Sequence, residues 1–351
     1  MTGTQTPLGP DPRTVPQRVP PELADTLARD TPGGTALSPL QMPPGAWWAI
    51  AKRIYVMNDL NNLALLAAGV AFFAFLAFVP LIAVIVLLYG LIADPATVAG
   101  SLDLLTDVVP VEVLTIVREQ LLQIVTAKTA QQGLGLVLAL LFSTYGAMRA
   151  ATAMMRALNI IYQEHETRGF FRTTWVAVTI TLGMAGIAIV GLVSISLFSY
   201  ARNFLAGYIG SGALLLVQIM TWVVAAMLVS VTFAIFFRFA PDRRAAKWRW
   251  LTLGSVASTV LWLLITVGFG FYASNISDYN ATYGSLAAIV IFLMWLFLSA
   301  YAVLIGAEIN AETERQTFRD STVGADRPIG KRGAVLADTA VLEVAPAKKI
   351  R

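Results

Sequence analysis

An all-α, polytopic membrane protein is the fold class this sequence predicts, and three observations predict it. Six apolar runs, Leu63–Ile92, Gly133–Leu158, Thr174–Tyr200, Ala213–Phe239, Trp250–Ala273 and Gly284–Ala307, each exceed the ~20 residues that cross a ~30 Å hydrocarbon layer. Soluble helices of that length carry a charged face; these carry almost none, so they are expected to bury against lipid and one another. Hydrophobic residues make up 57% of the chain and charged residues 13%, where about 25% charge is usual for a globular surface. Of the 25 Lys and Arg residues, 22 lie before the first run, at Arg149–Arg172, at Arg238–Arg249 or after the last run. Only Arg118, Lys128 and Arg202 fall in the alternate connections. That asymmetry is the positive-inside pattern, and it predicts six spans with both termini cytoplasmic.

Taken in order, residues 1–45 hold ten of the sixteen prolines. Such a segment is expected to be a disordered tail, because it offers little apolar surface to offset ordering entropy. Ala46–Asn62 reads as a short helix along the membrane surface, with Trp47, Trp48, Ile50, Ile54 and Tyr55 on an interfacial apolar side and Lys52 and Arg53 facing phosphates. Pro80 lies inside the first run and is expected to kink it by removing a backbone hydrogen bond; it could serve packing equally well. The connection 93–132 carries five acidic residues against two basic ones, which suits an outer location. Within it, Val111–Thr126 places Leu114, Val117, Leu121, Ile124 and Val125 on one helical face, as a cap on the bundle or a lid. Residues 313–351 are polar, mixed in charge and interrupted by Gly and Pro, and are expected to form a second disordered tail, leaving 46–312 as the membrane domain.

Charge inside a span is costly and therefore usually paired or functional. Arg149 and Arg156 lie seven residues apart on the second run, on one face, about 24 Å and 35 Å along the axis from Gly133. Glu308, about 36 Å past Gly284 on the last run, is level with Arg156. Glu308 is therefore expected to pair with Arg156, with Arg149 the alternative if the last helix is shifted. The arginines could instead reach lipid phosphate. Gly146, Ala147, Ala150, Ala151, Ala153 and Ala157 allow close helix approach.

Catalytic chemistry finds little to build on. The chain has no cysteine and one histidine, His165, which sits between Glu164 and Glu166 without metal-ligand spacing. No catalytic residue, metal site or cofactor is expected. The basic balance is accounted for by topology, and no basic face with stacking aromatics points to nucleic acid. Membrane lipids are the partners implied; a homo-oligomer is compatible with such a bundle, and no substrate is legible.

Three blocks carry a resemblance: AAGVAFFAFLAFVPLI (Ala67–Ile82), MRALNIIY (Met155–Tyr162) and YGSLAAIVIFLMWLFLSAYAVLIGAEINAE (Tyr283–Glu312). The last combines Tyr283, Gly284 and Ser285 with Trp295, Gly306, Ala307, Glu308 and Asn310. With six apolar runs and cytoplasmic ends, the chain resembles the YihY/BrkB family of bacterial inner-membrane proteins, once labelled ribonuclease BN. The resemblance implies a compact six-helix inner-membrane domain and lends no catalytic residues. A ribonuclease would need clustered metal ligands or an acid–base pair with a cationic clamp, and scattered carboxylates with one histidine supply neither.

Two functions remain open at this level. One is a transporter or a protein handling a lipid-like, amphipathic envelope substrate. The other is a non-transporting scaffold or envelope assembly factor. Polar groups at mid-depth are few (Ser143, Thr144, Tyr145, Gln218, Thr221, Ser258, Thr259 and Ser299), which points away from a small ion and toward an amphiphile.

Overall fold

The computed structural model describes residues 21–90, 129–205, 211–275 and 286–339. Six long helices carry it: α3 (Leu63–Gly90), α4 (Thr129–Ile161), α5 (Phe170–Leu205), α6 (Ser211–Phe239), α7 (Trp248–Asn275) and α8 (Leu286–Arg315). They are preceded by α1 (Pro21–Asp30) and α2 (Pro44–Leu60) and followed by the short α9 (Val335–Asp338). Among the described residues there is no strand, only one antiparallel bridge between Ala246 and Thr322.

Neighbour packing closes the six long helices into a ring in the order α3, α4, α5, α6, α7, α8 and back to α3, with α8 also touching α4 across the middle. The α4–α5 contact is the slightest in that ring. Segments Gly212–Phe239, Trp248–Tyr272 and Ile289–Arg315 are each long and apolar enough to cross a membrane. Pro44–Leu60 and Leu63–Phe78 meet that standard as a pair bent by 61°. The bend falls at Asn61–Asn62, where Asn62 takes a φ of 51°, a left-handed conformation that asparagine tolerates. Helix α3 continues through Pro80 to Gly90, and the Pro80 side chain lies outside the described residues.

Among the described side chains, burial is concentrated at one end of the ring. Ile50, Leu63, Met155, Leu158, Ile161, Phe237, Trp250, Leu251 and Leu304 are buried together where α3 and α7 begin and α4, α6 and α8 end. Farther along the helices, Leu141, Phe142, Leu215, Leu216, Leu264 and Val267 are exposed. A water-soluble protein does not present so continuous an apolar surface; in a bilayer those side chains meet acyl chains.

Two small-residue crossings set the close approaches. At the α7–α8 crossing, a Cβ on Gly254 would meet the Gly306 carbonyl oxygen and the Asn310 side chain. Asn310 bonds across it: its Oδ1 accepts from the Gly254 amide at 2.7 Å and its Nδ2 donates to the Leu251 carbonyl at 3.2 Å. Gly146 plays the same part between α4 and α3, where the backbone of Ala77 leaves no room for a Cβ.

The expected disordered tails are folded over 21–45 and 313–339; residues 1–20 and 340–351 lie outside the described part. The N-terminal segment does not need a core of its own, because it straps onto the C-terminal one. The Phe318 amide donates to the Gly34 carbonyl at 2.8 Å, Gln316 Nε2 to the Pro32 carbonyl at 2.7 Å and Thr317 Oγ1 to the Ala36 carbonyl at 2.7 Å. The C-terminal segment turns its charges inward. Buried Arg332 donates to the carbonyls of Phe318, Arg319, Arg327 and Ala337, while Asp338 accepts from the amides of Arg332 and Gly333. At Arg332 and Asp338, a composition that reads as solvated is met by internal partners.

Arg53 needs a further correction. It does not face phosphates but is buried, its Nε donating to Glu312 Oε2 at 2.7 Å and its Nη2 to Gln316 Oε1 at 2.6 Å. Lys52 is exposed over the Trp48 ring, 5.1 Å from its centroid. Trp47, Ile50 and Ile54 pack toward the core, leaving Trp48 and Tyr55 as the outward aromatics of α2.

Candidate functional site: a lateral cleft between α4 and α5

The chemistry-bearing side chains separate into a sealed ionic core and an open cleft. In the core, Glu308 does not pair with either arginine. Its Oε2 accepts a 3.1 Å bond from Asn61 Nδ2 at the α2–α3 elbow. Three rungs tie that elbow to α8: Asn61 to Glu308, the Tyr301 hydroxyl to Asn58 Oδ1 at 2.6 Å, and Arg53 to Glu312. Glu312 also meets Arg315 Nη1 at 3.0 Å, one turn on. The expected Glu308–Arg156 contact fails because the α2 elbow lies against the buried face of α8, while Arg156 points outward from α4.

Beside it lies a second buried pair. Arg243 Nη1 donates to Glu314 Oε2 at 2.9 Å and its Nη2 to Glu314 Oε1 at 2.5 Å; Ser321 donates to the same carboxylate. The guanidinium also stacks over the Tyr162 ring at 4.8 Å. These groups have no open side and are read as structural.

The cleft is different. It encloses about 420 Å³ between the second half of α4 and the first turns of α5. Met148, Met155 and Phe170 supply apolar wall; Arg149, Arg156, Arg168 and Glu166 supply charge. Arg149 and Arg156 are both exposed. Arg149 Nε donates to the Tyr145 hydroxyl at 3.1 Å, with its guanidinium 5.1 Å over that ring, one turn toward the start of α4. Helical side chains lean that way, so the two arginines do not converge.

The floor of the cleft is fixed by a polar turn. Gln163 sits at φ 56°, and Arg168 grips Glu166 at 2.6 and 2.8 Å with Asp242 at 3.6 Å. Asn159 links this turn to the α6–α7 turn, donating to Glu166 Oε2 and accepting from the Asp242 amide. The hydrogen bonds from Arg168 hold the Glu166 carboxyl below its ordinary range. Glu164 goes the other way. Burial pushes its carboxyl up to about 7, although it accepts a 2.8 Å bond from the Val335 amide, joining the floor to the C-terminal segment. His165 is exposed. Among the described residues, no three His, Asp or Glu side chains are grouped to hold a metal.

Part of the mid-depth polar set is absorbed by packing. Thr221 and Thr259 donate to carbonyls one turn back, and Ser258 is buried at the α7–α8 crossing. Thr144 and Gln218 are exposed, and Ser143 lies outside the described side chains. Of the motif residues, Trp295 donates to Thr266 Oγ1 at 3.3 Å, and Gly306, Ala307 and Asn310 form the α7–α8 crossing. Tyr283, Gly284 and Ser285 lie outside the described residues, as does the outer connection 93–128.

The model of the family described as Virulence factor BrkB matches residues 56–328, well over half of the chain. The chain belongs to the BrkB family. Among its relatives, the ribonuclease-like protein YfkH of Bacillus subtilis (strain 168) is 28% identical over 170 residues, covering 48% of this chain and 61% of YfkH. A UPF0761 membrane protein of Acinetobacter baylyi is 30% identical over 178 residues (50% of this chain, 41% of the relative). Another, of Nitrosospira multiformis, is 35% identical over 130 residues (36% and 29%). The matched part thus spans less than two thirds of these BrkB-family relatives' own length. No solved structure matches the chain. The BrkB match takes in the cleft and the ionic core apart from Arg53, and runs on into the folded C-terminal segment to residue 328.

The sequence placed Arg149 and Arg156 on one face but missed what completes the site. Tyr145, Glu166, Arg168 and the start of α5 come from two helices and the turn between them. The only signal for their meeting was the short spacing from Ile161 to Phe170.

Proposed function

We propose that this BrkB-family protein spans the membrane six times with both ends cytoplasmic, and handles an amphiphilic molecule that enters the α4–α5 cleft sideways from the bilayer, in a transporter-like role. The observation that carries the reading is the cleft itself: charged and apolar groups lining one cavity between α4 and α5, the ring neighbours in slightest contact among the described residues. On α4 the wall continues into exposed Leu138, Leu141 and Phe142, a surface for acyl chains. Exposed Phe170, Phe171 and Trp175 at the start of α5 suit the headgroup boundary, where aromatic rings concentrate. The hydroxyls of Thr221, Ser258 and Thr259, bonded back to the helix or buried in packing, are not available to line a polar path for a small ion. The ribonuclease-like name of YfkH is not carried over, because the cationic groups of the cleft face no acid–base pair.

A photoreactive side chain at Thr152, inside the cleft, tests this in intact membranes. Covalent capture of a lipid-sized molecule there, and not from an outward site such as Leu264, is expected; equal capture at both sites would count against it.

A second reading, a non-transporting scaffold, is favoured by one observation. The buried Arg243–Glu314 and Arg53–Glu312 pairs clamp the folded ends rigidly onto the ring.

A further inference from the structure

We propose that the cleft selects a phosphate-bearing, anionic lipid head from the leaflet on the Arg156 side, which the proposed orientation makes the cytoplasmic one. This rests on the amphiphile reading above and names the head it takes.

The charge inventory comes first. Three arginines and one glutamate line the cleft. Arg168 is satisfied by Glu166 and Asp242, so the only lining carboxylate is already taken. Among the described residues no carboxylate is in ionic contact with Arg149 or Arg156, so the described lining carries two uncompensated positive charges. Arginine forks match phosphate oxygens in geometry as well as charge.

Two further features point the same way. The first turn of α5 lines the cleft at Phe170 and Thr173, and it contains no acidic residue. The Thr173 amide already donates to the Gly169 carbonyl at 3.0 Å; the amides before it have no acceptor within the helix, and the positive end of a 36-residue helix favours an anion beside it. Arg149 is also pre-set, since Tyr145 takes its Nε and leaves the terminal nitrogens for a ligand.

Spacing then separates a lipid from a free phosphate. Seven residues put Arg149 about 10.5 Å along the helix axis from Arg156, with both arms leaning the same way. One inorganic phosphate cannot reach both. A glycerophospholipid can, with its phosphate at Arg156 and the α5 turn, its ester oxygens toward Arg149, and its chains along Met148, Leu141 and Phe142. Free phosphate would leave the apolar wall unused.

The test places the full chain in nanodiscs of phosphatidylcholine with a minority of phosphatidylglycerol, and weighs the retained lipid by native mass spectrometry. Phosphatidylglycerol should be enriched about tenfold over its bulk share. Arg156→Gln should abolish the enrichment, Arg149→Gln reduce it and Arg156→Lys restore part of it. Both arginines are exposed and outside the core, so the variants should melt with the parent protein, which is checked in parallel. Enrichment that survives both glutamine substitutions overturns the proposal, and so does displacement of the lipid by inorganic phosphate, which would make the ligand a soluble one. Capture at Thr152 without head preference would sink this inference while leaving the amphiphile reading intact; no capture at Thr152 would remove both.

Discussion

Replacing Arg243 by alanine should destabilise the protein by about 3–5 kcal/mol, the usual cost of stranding one partner of a buried ion pair. The Glu314 carboxylate left behind would keep only the Ser321 hydroxyl, with its side chain 2% exposed. Three parts of the molecule meet at this pair: the α6–α7 turn through Arg243, the end of α8 through Glu314, and the C-terminal segment through Ser321. The Tyr162 ring loses its stacked cation as well. Glu314→Ala should cost about as much. The double variant should cost clearly less than the sum of the two, because its second substitution removes a charge already unpaired. Melting of purified protein in detergent measures all three; additive losses would show that the two residues act independently.

Gly306→Ala should destabilise by about 1–3 kcal/mol or more, out of proportion to the single methyl added. That methyl would collide with Ser258 Oγ and the Gly254 carbonyl, so α7 and α8 must separate. Separation also breaks the two bonds from Asn310 that cross the gap, leaving buried polar groups unpaired. Gly254→Ala should behave alike. Gly183→Ala and Gly268→Ala are the controls: neither Cβ would meet any atom within 4 Å, and each should be neutral or mildly stabilising. The same melting measurement, with all four variants side by side, decides whether the crossing or helix propensity governs the effect.

How much of this was readable follows from what each feature depends on. The long helices were legible because length and uniform hydropathy are local properties, and Asn310 and Gly306 stood out within one block. The folded ends were not. Arg332, Asp338 and Glu314 look like solvated charges when counted, and only the fold shows that Arg332 is consumed by four backbone carbonyls. The partner of Glu308 was missed for a related reason. Depth along the helices matched it to Arg156, but depth says nothing about which face a helix turns inward. Asn61, 247 positions away and uncharged, gave no sign that it would sit at an elbow over α8. The cleft was half legible: seven-residue spacing put Arg149 and Arg156 on one face, while its other wall depends on how α5 leaves the turn after Ile161.

Leaflet exchange in proteoliposomes tests the central claim most directly, that the α4–α5 cleft passes an amphiphile through the membrane. A fluorescent phosphatidylglycerol analogue is placed in both leaflets, and an impermeant reductant is added outside. Liposomes holding the protein should lose fluorescence beyond the outer-leaflet share that protein-free liposomes lose, and Arg156→Gln should slow the excess loss. A signal that stops at the protein-free share with the parent protein, whatever stands at position 156, would contradict transport and leave the scaffold reading in its place.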